Sequence, residues 1–207
     1  MAETSRAYLD ALLAGEVAGA RQVLDEALEA GADARDLYLD VLQPALYEVG
    51  ARWSRAELSV AHEHLATAAA RSHMTVLAER LGKASRRRGS VLVACPGDEM
   101  HELGARMVAD FLEADGWEVL FLGALSPPAA LADVVAAQAV EVVALSAALP
   151  EHVPEVAAAC TVLHALDPAP RVVVGGQAFG GSSRRALATG ADAYARDARE
   201  AVRVVGG

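Results

Sequence analysis

Val91-Leu92-Val93-Ala94-Cys95-Pro96-Gly97-Asp98-Glu99-Met100-His101-Glu102-Leu103-Gly104 runs from an unbroken apolar tetrapeptide into a charged loop. An apolar run this short, rich in β-branched residues and stopped by Pro-Gly, predicts a strand buried on both faces. A helix is expected next, over Leu103 to Asp115, with Gly116 ending it. The rhythm then repeats. Strands are predicted at Glu118–Leu122, Glu141–Leu145, Arg171–Val174 and Ala193–Ala195. Helices are predicted at Pro127–Gln138, Pro154–Leu166, Ser183–Ala188 and Ala198–Val205. Continuous Val and Leu strands alternating with helices indicate a parallel sheet covered on both sides, a flavodoxin-like or Rossmann-like α/β domain over residues 91–207. Such sheets take ligands beyond the carboxyl ends of their strands.

Upstream, the period changes to that of helices. Tyr8, Leu9, Leu12 and Leu13 form one stripe, and Val23, Leu24, Ala27 and Leu28 another. Gly15, Gly31 and Gly50 follow periodic stretches, where helix ends belong. Leu37 to Val49 continues the pattern, with a bend expected at Pro44. A fourth helix is expected from Ser54, whose hydroxyl and Glu57 have capping-box spacing, to Leu81. Residues 1–81 therefore read as a four-helix bundle. The polar stretch 82–90, which holds the run Lys83 to Arg88, reads as an inter-domain linker.

Composition narrows the function. Net charge is −10, which disfavours direct nucleic-acid binding. The N-terminus has no basic-then-apolar signal layout, and no long apolar stretch suggests a membrane span. Cys95 and Cys160 sit in apolar runs and read as reduced core thiols of a cytoplasmic protein.

The loops after the strands carry the chemistry. The first loop lacks both common phosphate-binding glycine patterns. It offers Glu99-x-His101-x-x-Gly104. A loop histidine can present one ring nitrogen to a metal while a nearby carboxylate accepts from the other. Gly104 allows close approach of a large planar ligand. Read alone, the triplet also describes a surface histidine between two glutamates. Ser146 follows the third strand and Gly175-Gly176 the fourth, small residues that would leave a slot between those strands for an elongated group.

Glu99-x-His101-x-x-Gly104, Ser146 and Gly175-Gly176, each at a strand end, resemble the B12-binding domain of methionine synthase and its relatives. The resemblance implies cobalamin as cofactor, with His101 displacing the dimethylbenzimidazole base to ligate cobalt. It also implies that Ser146, Gly175 and Gly176 line the slot for the nucleotide tail, and that the bundle caps the upper cobalt face. Glu99 stands where the family has Asp, and in Ser146-Ala147-Ala148-Leu149 the Leu comes one place late.

Trp53, nine residues, then Glu63-His64 gives a further signature. Residues eleven apart on one helix align after three turns, so Trp53 is expected at the mouth of the fourth helix. An aromatic plate with a carboxylate and an imidazole suits an adenosyl group. A staple of Trp53 on Leu58 and a solvated face for Glu63 and His64 are the plainer readings. The spacing and Glu99 together resemble the light-sensing cobalamin regulators of the CarH type. That resemblance implies adenosylcobalamin as chromophore, no catalytic turnover, and a light-driven bundle movement. The output would be a change of homo-oligomer or of a downstream protein partner. Ser54 stands where those regulators carry a second histidine, leaving His62 or His64 as substitutes, and their helix-turn-helix domain has no counterpart in this sequence. Stand-alone sensors also resemble the photocobilins, which leaves open a non-covalent bilin, biliverdin, with His73, His152 and His164 unassigned. A corrinoid methyl carrier serving methyltransferases is the alternative.

Overall fold

The computed structural model describes residues 1–207, which divide into two compact units, Met1–Gly82 and Lys83–Gly207. The first unit is helical: α1 (Ala2–Leu13), α2 (Val17–Glu29), α3 (Ala34–Leu37), a π-helical turn (Tyr38–Leu42), α4 (Gln43–Ser54) and α5 (Val60–Arg80). Its core gathers Tyr8, Leu12, Leu24, Leu37, Tyr38, Val41, Val49, Met74 and Leu77, the apolar positions that recur at helical spacing.

Two expectations for this unit are corrected. The bend foreseen at Pro44 is a π turn that runs without a break from α3 into α4. The Gln43 N–H reaches back five residues to Tyr38 O, just before the proline, which has no N–H to give. Gly50 ends no helix, because α4 continues through it to Ser54.

The fourth long helix, α5, also begins later than the capping-box spacing predicts. Ser54 Oγ donates back to Ala51 O, and Glu57 pairs with Arg55. Ala56 then takes a left-handed φ of 58° and breaks the chain direction. Ser59 is the residue that caps α5, its side chain accepting from His62 N. Trp53 therefore lies in the last turn of α4, and Glu63 lies in the first turn of α5.

The second unit holds β1 (Ser90–Pro96), α6 (Leu103–Ala114), β2 (Glu118–Ser126), α7 (Pro128–Gln138), β3 (Val142–Ser146), α8 (Val153–His164), β4 (Arg171–Gly175), α9 (Ser183–Leu187), β5 (Ala193–Ala195) and α10 (Ala198–Val205). All strand pairs are parallel, in the order β2-β1-β3-β4-β5. This is the flavodoxin-like order, one of the two alternatives left open for the alternating β/α chain. Side chains alternate across β1. Leu92 and Ala94 face a core with Leu131, Leu145, Cys160 and Phe179, whereas Val91, Val93 and Cys95 face one with Ala109, Leu112 and Val205. Burial on both faces explains why the central strands carry so few polar residues. Short 3-10 turns at Pro150–His152 and Gln177–Phe179, which sequence periodicity does not reveal, close the loops after β3 and β4.

The stretch read as a linker is partly bound to the sheet unit. Ala84 N donates to Ala114 O, Arg88 N donates to Gly116 O, and the Arg88 guanidinium pairs with Asp115 at 2.8 Å. Both cysteines are buried and unbridged. No helix is long and apolar enough to cross a membrane.

Candidate functional site

At the carboxyl end of β1 the chain turns through Gly97 and delivers Glu99 to a fully buried position. One carboxylate oxygen accepts both from the His101 ring at Nδ1, 2.6 Å, and from the His101 backbone N–H, 2.9 Å. The other oxygen accepts from Ala148 N–H at 2.7 Å, in the loop after β3. Burial by itself would push the Glu99 carboxyl up. The bonds from the His101 ring, the His101 N–H and the Ala148 N–H outweigh it and bring the group down to about 2. An ionised carboxylate can only accept, so Nδ1 carries the proton. Nε2 is then the ring nitrogen that can ligate a metal, and the side chain is half exposed.

No group of three or more His, Cys, Asp or Glu is placed to hold a metal ion. Through Nε2, His101 could offer one ligand to a metal whose other ligands come with it. The surface by the histidine fits such a guest. Met100 and Leu149, on the loops after β1 and β3, and Leu125, near the end of β2, are exposed apolar side chains. The Leu125 N–H donates to Glu99 O, and the Leu149 N–H lies 3.5 Å from the Glu99 carboxylate. A flat macrocycle with an apolar rim could rest there, whereas a bare hydrated ion could not use those contacts.

Gly104 stands in the first turn of α6, and a Cβ there would meet only Ser146 Oγ, at 3.8 Å. The structure thus brings together Glu99, His101, Gly104 and Ser146 from the ends of two strands, β1 and β3. Gly175 and Gly176 behave differently. Ser146 pairs with Gly175, and Ala147 N donates to Gly175 O. A Cβ on Gly176, whose φ is 107°, would fall 2.1 Å from Ala147 O. The slot expected directly between these strand ends is closed by their own backbones, and the smallness of Gly176 answers to that contact.

In the helical unit Trp53 is an exposed aromatic. Glu63 accepts from Thr67 Oγ1 at 2.7 Å, and His64 Nε2 lies 3.7 Å from Glu63. The one-helix alignment of Trp53 with Glu63 and His64 is not formed, because residues 55–59 separate the two helices. His62 Nδ1 is engaged by the capping Ser59 Oγ at 2.7 Å. His73 is buried against the Tyr8 hydroxyl at 3.0 Å, and His164 Nε2 meets Asp192 at 3.1 Å. His152 lies in the 3-10 turn after β3.

Sequence reasoning missed Glu102 and Leu125. Glu102 Oε2 accepts from Ala124 N–H at 3.1 Å and so holds the end of β2. Its place beside His101 was the available signal. Leu125 had none.

Over 166 residues the chain is 36% identical to the HTH-type transcriptional repressor CarA of Myxococcus xanthus, covering 79% of this chain and 54% of that protein. It is 28% identical over 117 residues to monomethylamine corrinoid protein 2 of Methanosarcina acetivorans, 55% of this chain and 54% of that protein. The chain spans about half the length of the curated relatives it matches. The structure of the Methanosarcina barkeri monomethylamine corrinoid protein shares the fold, with a TM-score of 0.84 at 24% identity over 98% of this chain and 97% of that one. A B12 binding domain model matches residues 89–204 and a second matches residues 4–78. With His101 held by a buried carboxylate at a strand end of the matched sheet unit, the chain belongs to the B12 binding domain family.

Proposed function

We propose that this chain is a light sensor that holds adenosylcobalamin through His101 and signals without catalytic turnover. The observation that carries the ligand assignment is the buried Glu99 carboxylate on Nδ1, which orients the ring and raises the basicity of Nε2. The similarity to a transcriptional repressor over 79% of the chain supports a regulatory role. When bound, adenosylcobalamin supplies a cobalt–carbon bond that light breaks. Trp53 would pack on the adenosyl group in the dark, Glu63 would accept from its ribose hydroxyls, and His64 would stand beside them. Ser146, Gly175 and Gly176 would border the nucleotide tail from outside their closed strand ends, and Gly104 would let the corrin approach α6. The output is a change of homo-oligomer or of a protein partner.

A corrinoid methyl carrier is the second reading, favoured by the 28% identity to a monomethylamine corrinoid protein. One experiment separates them. The protein is reconstituted with adenosylcobalamin in darkness, and its spectrum and its size by chromatography are recorded before and after illumination. A base-off spectrum that changes with light, together with a change of size, is the expected result. Tight binding with no light-linked change of size favours the carrier, and no binding rejects both.

A further inference from the structure

Leu125 departs from ordinary chain behaviour in two ways at once. Its φ is +55°, in the left-handed region that bulky L residues rarely adopt. Its apolar side chain is also 55% exposed. Strain and exposure at one residue persist only where the surroundings enforce them, and such outliers gather at ligand sites.

The enforcement is visible. The Leu125 N–H donates to Glu99 O at 3.0 Å, and the preceding Ala124 N–H donates to Glu102 Oε2 at 3.1 Å. Ser126 Oγ donates to Gly123 O, and Ser126 O in turn accepts from Gly97 N. The β1–β2 register slips between Val93 and Ala94 and again between Ala94 and Pro96, which frees this corner from the regular ladder. Residues 123–126 are thus fastened to the His101 loop by both glutamates that flank His101.

We propose that Leu125 is a corrin-contact residue and that Glu102 is the positioning residue that holds it there. The inference rests on the cobalamin reading of His101. A leucine held stiffly against the His101 loop offers a fixed apolar contact to a macrocycle rim, and the ordering of that strand end is complete before the ligand arrives. Glu99 orients the ring while Glu102 orients the surface next to it.

The test uses the full chain and hydroxocobalamin, titrated by absorption, beside thermal melts of the ligand-free protein. Leu125→Gly and Leu125→Asn both accept a positive φ, so both should keep or raise the melting temperature, by about 2–4 °C. Both should weaken hydroxocobalamin about tenfold, the order expected for losing one buried apolar side chain. Glu102→Ala should speed amide exchange at Ala124 in the ligand-free protein and weaken binding severalfold, while Glu102→Gln, which keeps an acceptor oxygen, should restore both. Wild-type affinity in both Leu125 variants would overturn the contact. Lower melting temperatures in both would assign Leu125 to the fold instead. Unchanged exchange in Glu102→Ala would remove the positioning role. A wild-type protein that binds no hydroxocobalamin would sink the cobalamin reading itself, a result separable from all of these.

Discussion

A single carboxylate oxygen of Glu99 holds His101 twice, through the ring Nδ1 at 2.6 Å and through the backbone N–H at 2.9 Å. The ring is thereby fixed in position and in tautomer by one residue. Glu99→Gln keeps an acceptor but loses the charge. It should weaken cobalamin about 10–100-fold, the usual effect of losing a group that orients a metal ligand. His101→Ala should abolish the base-off, histidine-on spectrum altogether. Absorption titration of both variants checks this, and an unchanged spectrum in His101→Ala would reject the ligand assignment.

Gly104 and Gly176 should respond oppositely to alanine. At Gly104 the added methyl meets only Ser146 Oγ at 3.8 Å, on a helical backbone. Gly104→Ala should therefore raise stability by about 0.5–1 kcal/mol while weakening cobalamin. At Gly176 the methyl would meet Ala147 O at 2.1 Å on a positive-φ backbone. Gly176→Ala should cost stability by about 1–3 kcal/mol from backbone strain alone. Denaturant titrations of the two ligand-free variants give the comparison.

The start of α5 can be settled by two serines. Ser59→Ala removes the side chain that accepts from His62 N and should cost about 1 kcal/mol. Ser54→Ala loses only an exposed bond to Ala51 O and should stay within about 0.5 kcal/mol. Equal losses in thermal melts would contradict the observed cap.

His73 predicts an acid limb in stability. Burial lowers its pKa first, and the Arg21 charge acts the same way, against smaller opposing effects from the Val17 backbone and Asp25. A depressed folded value means that the unfolded chain binds the proton more readily. Stability from this residue is therefore whole above the unfolded value of about 6.5 and declines as the pH falls below it toward the folded value. His73→Gln should flatten the drop in melting temperature between neutral and mildly acidic buffer, and an equal drop in the variant would count against the idea.

Trp53 is exposed at the end of α4, so its removal leaves no cavity. Trp53→Ala should keep cobalamin bound and alter the size of the dark-state assembly by chromatography. An assembly that ignores the change would limit Trp53 to a local surface role.

The sheet unit was legible because its central strands are buried on both faces. Val91–Ala94 and Val172–Val174 have no polar partners to blur the period, and Gly or Pro marks most of the turns. The His101 site was legible for a related reason: its motif is local, six residues from Glu99 to Gly104. The junction of α4 and α5 misled because Ser54 and Glu57 carry the spacing of a cap without its geometry, and Arg55 competes for the carboxylate. The slot between β3 and β4 misled because Gly175 and Gly176 are small where the backbone oxygens of Ala195 and Ala147 crowd them. Leu125 was invisible because no side-chain type announces a positive φ imposed from the loop after β1.

The π turn at Tyr38–Leu42 has an effect on everything that follows it in the first unit. It carries a surplus residue within an otherwise continuous rod. Each residue of an α-helix advances the azimuth by about 100°. Deleting one residue from that turn would leave the rod intact yet swing Tyr47 and Trp53 onto a different side of it. The turn is a dial, and its setting determines which way the tryptophan faces.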